Sequence, residues 1–300
     1  MNHLLDTHHL ILMEAAIVEQ LRRAGSVELH PTLINAPLIY DEVGRSALAD
    51  IYQAYIDIAL QADIPFLMCT PTWRANRARV SGAKASSCIN ADAVSFMQQL
   101  RDSQQTAQAD IKIAGLIGCK NDCYRPEQGL SAIAAEQFHA WQINQLAGAG
   151  VDFLMAQTLP AIEEATGIAK AMQATGLPYI ISFVVSRDGH LLDGTALAAA
   201  VEMIDAITER KPLGYMVNCA YPTFLCAETQ PSHLFTRLIG YLANASALDQ
   251  CELDGAAQLQ AEDISDWGAA MLTLNRQFSL KILGGCCGTG AEYLRYIAER

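Results

Sequence analysis

The chain has 300 residues, 51% hydrophobic and 17% charged, with a formal net charge of −12. That much apolar material builds a large core, while the acidic balance argues against nucleic acid, which wants a basic face. No apolar run approaches the ~18 residues that a membrane span needs, so the expected partners are small molecules, with neither nucleic acid nor membrane.

The first twelve residues carry Asp6, His8 and His9, unlike the apolar centre of a secretory leader. His3, His8 and His9 read as a solvated terminus. Nine cysteines, an odd number without framework spacing, point to a reducing, cytoplasmic setting. In chain order, apolar runs predict strands over 10–14, 65–70, 111–118, 151–157, 179–185, 214–218, 239–244 and 281–284. Amphipathic, alanine-rich stretches between them predict helices over 46–61, 131–147, 161–175, 195–208 and 263–276. Strands alternating with helices make βα units and a parallel sheet. The expected fold is α/β, one (β/α)8 TIM barrel domain spanning 1–300. A doubly wound sheet is the alternative, but no GxGxxG follows the first strand. No Pro/Ser-rich or single-sign segment divides the chain, and no signal specifies an oligomeric state. Long irregular stretches at 27–44, 73–86, 119–130 and 249–262 read as functional or lid-like loops.

Barrel active sites form at the C-terminal ends of the strands. Glu14, Thr70, Gly118, Gln157, Asn218, Cys219, Asn244, Cys286 and Cys287 all fall at such ends and are expected to meet. Cys286 and Cys287 stand out, because they are adjacent and lie between glycines in Gly284-Gly285-Cys286-Cys287-Gly288-Thr289. Neighbouring side chains in a strand point to opposite faces, so two thiols converge only where the backbone bends. A metal is the natural target, and a third thiol is then needed. Cys219 ends another apolar run and reads equally as that ligand or as a core cysteine. Three thiolates with one open position make a catalytic rather than a structural zinc site.

These motifs resemble those of the zinc-dependent homocysteine S-methyltransferases. In that family, an Asn-Cys pair ending one strand and GGCCG ending the last supply three zinc-bound thiolates. The matching residues are Cys219, Cys286 and Cys287, and weaker similarity runs through nearly the whole chain. The resemblance implies Zn2+ as cofactor and methyl transfer from a small donor, of the S-methylmethionine or S-adenosylmethionine type, to the thiolate of homocysteine. It implies methionine as the product. The chain is too short for the family's folate and cobalamin modules, which favours a diffusible donor.

The chain also departs from the family. The first-strand Asp-Gly-Gly or Asp-Gly-Ala becomes Glu14-Ala15-Ala16, and the fourth-strand Glu that faces the homocysteine amino group becomes Gln157. The second-strand Thr-Asn-Thr becomes Thr70-Pro71-Thr72, followed by Trp73 and Arg74. Arg74 reads as a fork for a substrate carboxylate and Trp73 as a face for a cationic donor, or both pack locally in their loop. Asn218 and Asn244 read as substrate-orienting amides or as polar strand caps. Cys119 and Cys123 read as two free thiols or an auxiliary pair. Competing functions are methyl transfer to a thiol lacking an amino group, motivated by Gln157, and a non-catalytic metal- or small-molecule-binding relative.

Overall fold

The computed structural model describes residues 1–104, 110–249 and 260–300. Eight parallel strands close into a barrel in sequence order. They are β1 (Ile11–Met13), β2 (Phe66–Cys69), β3 (Ile111–Gly118), β4 (Phe153–Leu159), β5 (Tyr179–Phe183), β6 (Gly214–Ala220), β7 (Leu238–Ala243) and β8 (Ile282–Gly285). The expected α/β class and (β/α)8 architecture hold. β1 pairs with β8 through Ile11 and Leu12, which closes the ring.

The strands are apolar on both faces because both faces are covered. One face sends Ile11, Leu67, Leu116, Phe153, Ile180 and Met216 into the barrel interior. The alternate residues, including Leu12, Met68, Ile117, Leu154 and Ile181, lie beneath the surrounding helices. Those helices include α1 (Asn2–Thr7), α2 (Val18–Ala24), α3 (Glu42–Gln61), α4 (Arg77–Gly82), α5 (Ile89–Asp102), α6 (Ala132–Gly148), α7 (Ile162–Gln173) and α8 (Leu197–Ile207), with two more at Ile264–Phe278 and Ala291–Ala298. α3 starts where the Asp41 carboxylate accepts from the Gly44 amide at 2.7 Å, a side-chain cap.

Three details differ from the sequence reading. The N-terminal histidines are exposed or half-buried, as expected, but the segment is also anchored: α1 sends Leu4 into the interior cluster, and Lys281 Nζ donates to the Leu5 carbonyl. The stretch 73–86 holds α4, whose cap is the Asn76 side chain accepting from Arg79 N. β4 and β6 run past their expected ends, because each carries a register shift, between Ala156 and Leu159 and between Asn218 and Ala220. Of the stretch 249–262, residues 250–259, with Cys251, lie outside the described residues. No helix among the described residues is long and apolar enough to cross a membrane.

Candidate active site

The first thiol is placed by a bulge. Cys219 has φ 59°, a left-handed conformation that costs a non-glycine residue about 1 kcal/mol or more. Thr158, at the matching irregularity of β4, has φ 60°. The buried Asn218 amide ties the two together. Its Oδ1 accepts from Thr158 N at 2.8 Å and from Ser182 Oγ at 2.7 Å, and its Nδ2 donates to Thr158 Oγ1 at 2.7 Å. Three adjacent strands thus hold the turn that presents Cys219.

The other two thiols follow β8. Cys286 N donates to Ala243 O at 2.7 Å, Ala245 N to Cys287 O at 2.9 Å, and Cys287 N to Asn244 Oδ1 at 3.1 Å. Thr289 Oγ1 closes the turn on Cys286 O at 2.6 Å, and the Gly288 amide donates to the Glu19 carboxylate. Gly285 is required here: a Cβ on it would stand 2.1 Å from Thr289 Oγ1. The turn brings both cysteines round to Cys219.

The Cys219 sulfur lies 2.8 Å from that of Cys286 and 3.6 Å from that of Cys287, and all three lie within 4.8 Å of one another. Bonds to its two neighbours hold the Cys287 thiol well below its ordinary range. Its bonds to Cys286 and Cys287, and then burial, push Cys219 up. Cys286 gains acidity from Cys219 but is pushed up overall by Cys287 and burial. Three sulfurs this close share protons because they cannot all carry charge unaided; a cation in their midst replaces those protons. Soft thiolates suit zinc, and sulfurs about 2.3 Å from one tetrahedral ion stand roughly 3.8 Å apart. The trio therefore fits a metal ion with a small outward movement of Cys286.

A cavity of about 150 Å³ opens beside the sulfurs, lined among others by Glu14, Tyr52, Thr70, Trp73, Tyr124 and Gln157. Glu14 is buried, and its Oε2 accepts from Cys69 N at 2.6 Å. Desolvation raises its pKa from 4.5 to about 8, against the lowering effect of the Cys69 bonds. Gln157 Nε2 lies 3.6 Å from Cys69 Sγ and 3.4 Å from Met155 Sδ, both weak acceptors. Its amide keeps hydrogen-bonding capacity for a ligand.

The structure thus brings Glu14, Thr70, Trp73, Gln157, Cys219, Cys286 and Cys287 together around one cavity. Thr70 is engaged with Thr72 Oγ1 at 2.7 Å and Leu116 N at 3.0 Å. Asn218 and Asn244 stand behind the cysteines: Asn244 holds the Cys287 amide, and Asn218, beside Cys219 in sequence, pairs with Thr158 and Ser182. Arg74 does not line the cavity, contrary to the carboxylate-binding expectation. Its guanidinium donates to Cys119 O at 3.0 Å and Asn121 O at 2.5 Å and stacks on the Trp73 ring at 4.0 Å. It fastens the loop after β3. Trp73 packs against the end of that strand, where a Cβ on Gly118 would stand 2.5 Å from the indole. Cys119 and Cys123 are buried free thiols, raised mainly by burial to about 11 and beyond.

Sequence reasoning missed Thr158, Glu19, Thr289 and Tyr124. Tyr124 Oη lies 3.4 Å from Cys219 Sγ. Its signal was the long 119–130 loop, but no local pattern singles out one tyrosine there.

A family model described as homocysteine S-methyltransferase matches residues 11–300. The chain belongs to the homocysteine S-methyltransferase family. It is a methyltransferase. Homocysteine S-methyltransferase YbgG of Bacillus subtilis is 25% identical over 318 residues, covering 99% of this chain and 96% of the relative. Homocysteine S-methyltransferase of Escherichia coli is 25% identical, covering 95% and 93%. Among solved structures, the E. coli homocysteine methyltransferase MmuM superposes in its metallated form with TM-score 0.74 and 19% identity, covering 99% of this chain and 98% of that one. Its oxidized form gives 0.75 at the same identity, covering 100% and 98%. At this identity the structural likeness carries the fold. In this member of the homocysteine S-methyltransferase family, Glu14 and Gln157 both line the cavity.

Proposed function

We propose that this protein transfers a methyl group from a small cationic donor to the thiol of homocysteine, with zinc held by Cys219, Cys286 and Cys287. The observation that carries the reading is the convergence of three sulfurs within 4.8 Å at a cavity that also holds a buried carboxyl group, Glu14. Bound zinc would supply a Lewis acid that keeps the acceptor sulfur a thiolate at neutral pH. The acceptor sulfur attacks the methyl carbon in line, the donor's bond to that methyl breaks, and the donor leaves with the bonding pair as a neutral molecule. The chain's own residues orient the acceptor and exclude water. Glu14 and Gln157 meet the acceptor's amino end, with Glu14 releasing its proton to solvent through the cavity mouth as the ammonium arrives. Trp73 and Tyr124 wall the approach of the donor, where aromatic faces suit a cation. S-Methylmethionine and S-adenosylmethionine are the donor types to compare. Thiols that must stay reduced suit a cytoplasmic setting, and the whole of 1–300 acts as one catalytic domain.

The test is the metal content of anaerobically purified protein, repeated with Cys219→Ser and followed by calorimetric titration of homocysteine. About one zinc per chain, lost in the variant, with homocysteine binding, supports the proposal. Zinc without homocysteine binding favours a thiol lacking the amino group, a second reading that Gln157 motivates. Absence of zinc from reduced protein overturns both.

A further inference from the structure

The three sulfurs are not equivalent. The backbone amide of Cys287 reaches the sulfurs of Cys286 and of Cys287 itself, whereas the Tyr124 hydroxyl, from a different loop, stands 3.4 Å from Cys219 Sγ. A thiolate can only accept, so in the metal-bound state the phenol O–H is the donor.

The loop that delivers Tyr124 is fastened at many points. The Glu164 carboxylate, from α7, accepts from Lys120 N at 2.8 Å at one end of the loop and from Leu130 N at 3.3 Å at the other. His139 Nε2, from α6, holds the same carboxylate at 2.9 Å. Arg74 binds the Cys119 and Asn121 carbonyls, and Asn121 Nδ2 crosses the loop to Gln128 O at 2.7 Å. Asp122 Oδ1 accepts from the Tyr124 amide itself at 2.9 Å. A side chain packed loosely over a cavity needs none of this anchoring.

We infer that Tyr124 is a positioning residue whose hydroxyl donates to the Cys219 sulfur, fixing that ligand's orientation and limiting the charge it gives to the metal. The inference rests on the proposed metal site and extends it to a residue outside the cysteine motifs. Donors in this position orient metal ligands and tune the metal, and losing one typically costs about tenfold in metal affinity.

The test is cobalt(II) substitution of the reduced, metal-free full chain, read by the thiolate-to-cobalt absorption in the near ultraviolet and by cobalt affinity from chelator competition. Tyr124→Phe keeps the ring and removes only the hydroxyl. The expected result is one cobalt per chain in both proteins, with the variant's band at longer wavelength, because the Cys219 lone pair is no longer held down, and binding about tenfold weaker. Tyr124→Leu, which removes the ring as well, gives the same displacement and guards against an effect of ring packing. An identical band and affinity in Tyr124→Phe overturns the inference while leaving the metal site intact. A wild-type protein that takes up cobalt without thiolate absorption overturns the metal site itself, and the inference with it.

Discussion

Asn218 and Thr158 exchange two hydrogen bonds between β6 and β4, Thr158 N to Asn218 Oδ1 at 2.8 Å and Asn218 Nδ2 to Thr158 Oγ1 at 2.7 Å. Each strand carries its left-handed residue at this level, Thr158 itself and the neighbouring Cys219. The amide therefore locks two strained turns with one side chain. Asn218→Ala leaves the Thr158 amide unpaired in a buried place and should cost about 3 kcal/mol. Urea denaturation measures the loss, and metal content should fall with it as Cys219 drifts. Stability within ~0.5 kcal/mol of wild type would show that the bulges hold without the amide.

Removal of the metal should abolish methyl transfer, and zinc should restore it. Cys219→Ser and Cys286→Ser should each lose metal and activity together, since a hydroxyl is a poorer zinc ligand than a thiolate at neutral pH. Full rate and full metal content in either variant would remove that cysteine from the site.

Glu14 makes stability depend on pH. It titrates near 4.5 when unfolded and at about 8 in the fold, where burial favours the neutral acid. The native state binds more protons across that interval, so the stability contribution is complete below about 4.5 and is lost as pH rises through about 8. Tyr52, Tyr55 and Cys69, which face Glu14, are all pushed up by burial and stay neutral over the same range. Glu14→Gln should flatten the profile and gain on the order of a few kcal/mol over wild type at the alkaline end. Denaturation across this range measures it, and an unchanged slope would place the titration elsewhere.

Gln157→Glu restores a formal charge beside the proposed ammonium site. A charge-assisted bond is roughly twice as strong as a neutral one, so KM for homocysteine should fall about fivefold with little change in kcat. A thiol acceptor without an amino group should gain nothing. Equal effects on both acceptors would move the ammonium away from Gln157.

Much of this molecule is determined by local chemistry. Eight apolar runs separated by amphipathic stretches specify a parallel sheet wrapped in helices, because strands covered on both faces must be apolar throughout. Two cysteines between glycines specify a turn with converging thiols, because only a bent backbone brings neighbours together. Barrel topology then implies that Glu14, Gln157 and Cys219 share one end. What the tertiary structure alone decided is where each side chain goes from there. The bulges at Thr158 and Cys219 leave no mark in an apolar pattern, since a one-residue shift depends on what other strands offer, here the Asn218 amide reaching from β6 past β5 to β4. Arg74 carries the right chemistry for a carboxylate, yet it is spent on the carbonyls of Cys119 and Asn121, which lie 45 and 47 residues away. Tyr124 reaches Cys219 across 95 residues for the same reason. Contacts between distant loops are set by packing, and no short segment of sequence encodes them.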